Sequence, residues 1–303
     1  MKRKTIIDCD PGADDAIALM LALNSLELDI IGITITAGNS TLEKCCKNAL
    51  KVLELCNIEN IPVYMGASGP IKRKLEFSDL YCGKDGLCEI GLMNKRLNVE
   101  KQSAVDFIIE ASNKYEGLQI ISIAPMANIA LALQKSPQMK IGQIVTSTGF
   151  YNTLGEGFKG KPRCSWNFTV DPEAAKIVFE SGNIIKVVGI DVSAELKDEM
   201  VYYIIEQSRN NEFVDFLRGA TKFYSLSKLS PFSLLVDAMA VAYAVNPKIA
   251  ELKAGNVVVN CTRTIDLKSF VFSQDASKES FVYPAYKFDF HEYVKMLLER
   301  VFI

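Results

Sequence analysis

The stretch Ile6-Ile7-Asp8-Cys9-Asp10-Pro11-Gly12-Ala13-Asp14-Asp15 constrains this chain more than any other, because four carboxylates follow an apolar run within eight residues. The run predicts a buried strand at Thr5–Ile7. An amphipathic helix follows at Asp14–Ser25, its apolar face supplied by Ala16, Ile17, Leu19, Met20, Leu21 and Leu23. Pro11-Gly12 forces a tight turn between them, so that acids on either side can converge on one point. Acids so close repel one another unless a cation neutralises them, and hard divalent ions prefer oxygen ligands. Helix capping is the plainer explanation for Asp14 and Asp15. A cap needs one or two acids, not four, and a metal site is the better expectation.

The rest of the first two-thirds alternates strand and helix. Strands are predicted at Ile30–Thr36, Ile61–Tyr64, Gln119–Ile123, Gln143–Thr146 and Ile184–Val188, and helices at Leu42–Leu55, Ser103–Ser112, Ala127–Gln134 and Pro172–Ser181. This pattern implies an α/β fold, an open, mostly parallel Rossmann-like sheet with helices on both faces. Ligands in such sheets bind at the carboxyl ends of the strands. Asp8-to-Asp15, Ala37-Gly38-Asn39 and Ala124-Pro125 all fall there. The final third reads as extra C-terminal helices at Met200–Gln207, Phe213–Ser225, Ser233–Ala244 and Phe288–Arg300, with strands at Gly255–Cys261 and Ser269–Phe272. Two long polar loops, 66–99 and 149–167, follow strands and are expected to fold over one face. No linker or repeat divides the chain, so residues 1–303 are expected to form one domain.

Composition excludes several classes. A formal net charge of −2 with scattered basic residues leaves no footprint for nucleic acid. The apolar run after Met1-Lys2-Arg3-Lys4 is too short for a signal peptide, and no apolar stretch is long enough to cross a bilayer. The eight cysteines lack zinc-site spacing, and Cys45, Cys46 and Cys56 read as small core residues. A reduced, cytoplasmic protein is the simplest expectation. The single histidine, His291, reads as a surface helix residue, which leaves little material for histidine-based catalysis.

The block Asp8-Cys9-Asp10-Pro11-Gly12-Ala13-Asp14-Asp15 resembles the N-terminal signature of the inosine–uridine preferring nucleoside hydrolases. The likeness continues at Gly32–Asn39, Ala124–Leu131, Trp166–Ala175 and Val236–Tyr243, in the family's order along nearly the whole chain. The resemblance implies a calcium-dependent N-ribohydrolase that converts nucleosides to free base and ribose. By position, Asp10, Asp15 and Asp237 would bind Ca²⁺ through carboxylates and Ile123 through its backbone carbonyl. Asp10 would also act as base toward a metal-bound water. Asp14, Asn39 and Asn167 would hold the ribose hydroxyls, with Asp8 supporting the metal site. A homodimer or homotetramer with a small nucleoside substrate is implied, with neither nucleic acid nor membrane as partner.

The chain departs from that family where the leaving base would be protonated. Val236 stands where many members carry histidine, and Cys82 aligns with a second frequent histidine. Neither donates a proton as imidazolium does near neutral pH. Tyr224 aligns with an aromatic position near the base, so Cys82 and Tyr224 are both candidate donors, and Trp166 is a candidate to stack on the base or line the sugar. Ser165 replaces a glutamate that binds sugar hydroxyls, and Lys159, Lys161 and Arg163 lie nearby. Those cations read first as a solvated loop and second as an anion site at the ribose 5′ position. Two alternatives therefore stand beside the hydrolase: a catalytically weakened ribose- or nucleoside-binding relative, and a hydrolase of a modified or 5′-substituted ribosyl compound. A phosphatase of the strand-Asp-x-Asp type is excluded, because Gly12 occupies the position where that motif needs Thr or Val.

Overall fold

The computed structural model describes residues 2–303 apart from 78, 93–97, 161–163, 210, 262–269, 276–278 and 280. Lys161 and Arg163, and residue 269 of the last expected strand, lie outside the described residues.

Chain order begins with β1 (Arg3–Cys9), α1 (Ala13–Leu23), β2 (Leu28–Ile35), α2 (Leu42–Leu55), β3 (Val63–Met65), α3 (Asp79–Cys82), α4 (Ala104–Lys114), β4 (Gln119–Ser122) and α5 (Ala127–Lys135). It continues with β5 (Gln143–Thr146), α6 (Trp166–Val170), α7 (Pro172–Phe179), β6 (Ile185–Val187), α8 (Ile190–Ser193), α9 (Asp198–Gln207), α10 (Glu212–Leu226) and α11 (Val236–Val245). Last come β7 (Ala250–Leu252), β8 (Asn256–Val259), β9 (Phe270–Ser273), β10 (Val282–Phe288) and α12 (Phe290–Leu297). The strands form an eight-stranded sheet in the order β3-β2-β1-β4-β5-β6-β10-β7, parallel except for antiparallel β7 at one edge. Strands β8 and β9 form a separate antiparallel pair.

Strand side chains alternate between two cores. Ile7, Ile33, Ile35, Ile121 and Val145 face the core beneath α1, α2 and α9–α12, whereas Ile6, Ile120 and Ile144 face the core beneath α4, α5 and α7. Burial on both faces explains why these strands read as unbroken β-branched runs. Every residue of α11 from Asp237 to Val245 is buried, so this helix lies in the core and carries Asp237 in its first turn. Helix α1 is nearly as buried, and the two pack together.

The parallel sheet with helices on both faces matches the sequence expectation, with one correction in the final third. Strands β7 and β10 join the main sheet there, where only helices and two strands were expected. Pro284 disguises β10, since a proline inside an apolar run argues against an interior strand. The strand has partners on both sides at this point: Val282–Pro284 pairs with β6, while on the other side the Pro284 carbonyl accepts the Lys253 N–H at 2.9 Å and β7 pairs from Ala285. The helix expected from Phe288 accordingly begins at Phe290. The helix expected over Ser233–Ala244 is split into a 3₁₀ turn at Pro231–Leu235 and then α11. Of the described residues, no helix is long and apolar enough to cross a membrane, and none of the eight cysteines is in a disulfide. His291 is exposed on α12.

Candidate active site

The carboxyl ends of four neighbouring strands assemble the site. Asp10 follows β1, Asn39 follows β2, Ile123 follows β4 and Ser147 follows β5, while α11 brings in Asp237. Asp15 sits in the first turn of α1 and caps it: its two oxygens accept the backbone N–H of Asp10 at 3.2 Å and of Gly12 at 3.0 Å. Capping and site-building are therefore one arrangement. The same bonds that satisfy the helix N-terminus fix the carboxylate in direction.

Asp10 is fully buried. Its Oδ2 accepts the Asn39 N–H at 2.6 Å, and its Oδ1 has no hydrogen-bond partner. The Asn39 side-chain amide donates to the Asp10 carbonyl at 3.1 Å and to Asp15 Oδ2 at 3.0 Å. Asp237 Oδ1 accepts the Ser147 hydroxyl at 2.8 Å. Asp8 lies on β1 behind this group, where Thr34 and Asn128 donate to its Oδ1 at 2.7 and 2.8 Å. Asn128 in turn accepts the Ala67 N–H, so the Asp8 support also holds the start of the first long loop.

Asp14, Asp15 and Asp237 each bring an oxygen within 4.8 Å of the others. Burial raises the carboxyls of Asp10, Asp15 and Asp237 well above the ordinary range. Repulsion adds to this, from Asp15 on Asp10, from Asp14 on Asp15, and from Asp14 and Asp15 on Asp237. Burial also raises Asp8 and Asp14, each to about 6. A buried orphan oxygen beside converging, mutually repelling carboxylates is the environment a cation relieves. The donor set is oxygen throughout, which suits a hard ion. The cluster can hold a metal ion.

Above this floor opens a cavity of about 250 Å³. Of the residues expected in the site, Asp14, Asn39, Cys82, Ser165, Trp166, Asn167, Tyr224 and Asp237 line it. Asp10, Asp15 and Ile123 are not part of its wall and connect to it through two asparagines. Asn39 bonds Asp10 and Asp15, and the Asn167 amide donates to the Ile123 carbonyl at 2.6 Å. Both long loops contribute to the wall, the first through Tyr81 and Cys82 and the second through Cys164 to Asn167. Tyr224 projects from α10 and is 2% exposed. Burial, with Asp14 and Cys82 nearby, raises its phenol far above the usual range, so it keeps its proton. Ser165 spends its hydroxyl oxygen on the Gly149 N–H at 3.2 Å. The Trp166 Nε1 is buried without a partner.

Ser147, Thr34 and Tyr81 were not foreseen. Ser147 had one available signal, its position directly after β5 at the sheet end where ligands bind. Thr34 looks in sequence like any β-branched strand residue, and Tyr81 like any loop aromatic.

The model of the family described as inosine-uridine preferring nucleoside hydrolase matches residues 5–294. The chain is 39% identical over 195 residues to the pyrimidine-specific ribonucleoside hydrolase RihB of Escherichia coli O9:H4 (strain HS), a match spanning 63% of this chain and 61% of that relative. Among solved structures, it superposes on the plant nucleoside hydrolase PpNRh1 with a TM-score of 0.88 and 28% identity, covering 100% of this chain and 99% of the other. The purine-preferring ribonucleoside hydrolase from Gardnerella vaginalis gives a TM-score of 0.86 and 29% identity, covering 99% and 98%.

Proposed function

The chain belongs to the inosine-uridine preferring nucleoside hydrolase family, and from that premise we propose that it hydrolyses the N-glycosidic bond of ribonucleosides to free base and ribose. The observation that carries this reading is the convergence of Asp14, Asp15 and Asp237 at the floor of a cavity, with the orphan Oδ1 of Asp10 buried beside them. The ion would be Ca²⁺, and Asp10, Asp15, Asp237 and the Ile123 carbonyl would hold it. When bound, the ion supplies Lewis acidity that makes water a better nucleophile near neutral pH, and a positive charge that offsets the carboxylates.

The protein's own groups do the rest. Asp10 takes the proton of the attacking water, and its Oδ2, held by the Asn39 N–H, keeps the other oxygen aimed. Asp14, Asn39 and Asn167 bind the ribose hydroxyls and fix the ring for attack at C1′. The carboxylates stabilise the positive charge that grows on the sugar in an oxocarbenium-like transition state. Tyr224 and Cys82 donate hydrogen bonds toward the leaving base, and Trp166 and Ser165 line the substrate. Residues 1–303 act as one domain in a cytoplasmic homodimer or homotetramer, with a nucleoside as the partner.

The test is free-base release from purine and pyrimidine ribonucleosides and their 5′-phosphates, with calcium and with chelator, beside an Asp10→Ala control. Calcium-dependent release that the control lacks supports the hydrolase. Binding of ribose without release from any compound supports the weakened binding relative instead. Release confined to the 5′-phosphates supports the 5′-substituted alternative.

A further inference from the structure

The cavity carries a one-sided chemistry. Asp14 and Asp237 line it, and Asp10 and Asp15 back its floor. Among the described residues of its wall none is lysine, arginine or histidine. The chain has a single histidine, and His291 is exposed on α12. No imidazole of this chain therefore reaches a departing base. The wall offers Tyr81, Cys82, Trp166 and Tyr224 in its place, with Val236 directly before Asp237; a thiol and a phenol donate hydrogen bonds without the acidity of an imidazolium. The indole N–H of Trp166 donates hydrogen bonds and gives up no proton in this pH range.

When the C1′–N bond breaks, its electron pair goes to the ring nitrogen. A neutral base then leaves as an anion unless a positioned acid protonates it, a contribution worth about 10²–10⁴-fold in rate. A base that already carries a positive charge behaves differently. The electron pair cancels that charge, and the base departs neutral with no proton needed. Water supplies the new C1′–O bond and releases one proton, so that cationic nucleoside and water give neutral base, ribose and H⁺. Before cleavage, the same cation meets an acidic floor and three aromatic rings, both attractive to positive charge.

Resting on the N-ribohydrolase reading above, we propose that the preferred substrates of this cavity are nucleosides whose base is already cationic, namely N-ribosylated pyridiniums and N7-alkylated purines. Such substrates need no imidazolium to protonate the leaving base, and among the described residues of the wall there is no lysine, arginine or histidine to repel them.

Matched pairs test this on the calcium-loaded protein. The kcat/KM for base release is measured for nicotinamide riboside, 7-methylguanosine, guanosine, inosine and uridine, each corrected for uncatalysed breakdown. The expected result is a kcat/KM for at least one cationic nucleoside about 10²-fold or more above every neutral one, the factor a missing acid withholds. The stronger of the two cationic probes identifies the pyridinium or the purine class. Neutral nucleosides cleaved within about tenfold of both cationic probes, a gap too small for a missing acid, overturn the preference and leave the hydrolase standing. No release from any of the five overturns the hydrolase and the preference together.

Discussion

The side-chain amide of Asn167 donates to the backbone carbonyl of Ile123 at 2.6 Å. This bond ties the second long loop, at its entry into α6, to the carboxyl end of the central strand β4. A carbonyl oxygen has two lone pairs, so the bond leaves one of them for a further ligand. Asn167, itself part of the cavity wall, thus links that wall to the carbonyl proposed to face the cation.

Asn167→Ala removes that tie and, on the proposed reading, a ribose contact with it. Its kcat/KM is expected to fall about 10- to 100-fold, with KM rising more than kcat falls, because the lost contacts act mainly on bound substrate. Steady-state kinetics on the best substrate checks this. An unchanged KM would show that the amide serves only the loop.

Asp237→Asn keeps the shape of the side chain and removes one of the three converging carboxylates. Calcium affinity is expected to fall about 10- to 100-fold or more, and base release with it, as losses at metal sites commonly run. Titration calorimetry reads the first and product release the second. Wild-type affinity in this variant would remove Asp237 from the cation site.

Gly38 leaves no room for a side chain. A Cβ there would press on Asp10 Oδ2 and lie 2.8 Å from the Pro125 ring. Gly38→Ala is therefore expected to cost about 1–3 kcal/mol, as overpacking does, and to push the Asp10 carboxylate off its Asn39 anchor. Chemical denaturation measures the first effect. Loss of calcium-dependent turnover in protein that still folds measures the second.

The acidic cluster also sets a pH dependence for the metal-free protein. Asp8 and Asp14 have carboxyls raised from 3.8 to about 6 in the folded state. Between those values the folded chain binds more protons than the unfolded one, so stability falls as pH rises through the window. Their full contribution is present below about pH 4 and is gone above about pH 6. In chelator, Tm is expected to drop from pH 5 to pH 7.5, with calcium restoring it at the higher pH and a shallower drop in Asp14→Asn. A Tm in chelator that rises over this range would contradict the assignment.

What could be read from the sequence divides along physical lines. The first strand, the turn and α1 are local structures, and their apolar spacing and Pro11-Gly12 declare them. The four parallel strands at the site announce themselves because burial on both faces demands continuous apolar runs. Strand β10 concealed itself because Pro284 interrupts its apolar run, and the pairing with β6 and β7 that accommodates the proline is encoded by no local pattern. Asp237 looked like a helix cap by itself, and only the neighbouring blocks and then the fold joined it to residues 10–15. The hydroxyl of Ser147 and the buried amide of Asn128 gain their roles from partners distant in the chain, at Asp237 and Asp8. Pairing across such distances leaves no periodicity to detect.

The convergence of Asp14 and Asp15 with Asp237 has a consequence for how the chain is made. Asp15 precedes Asp237 by 222 residues along the chain (237 − 15), so the first two acids leave the ribosome well before the third. Until α11 arrives and buries itself against α1, the early acids have one another's repulsion and lack Asp237, the carboxylate of this cluster that reaches them from a distant part of the chain. Competence is therefore a late event in the life of each molecule. A nascent or clipped chain lacking α11 has the sheet's opening strands but lacks one of the three converging carboxylates.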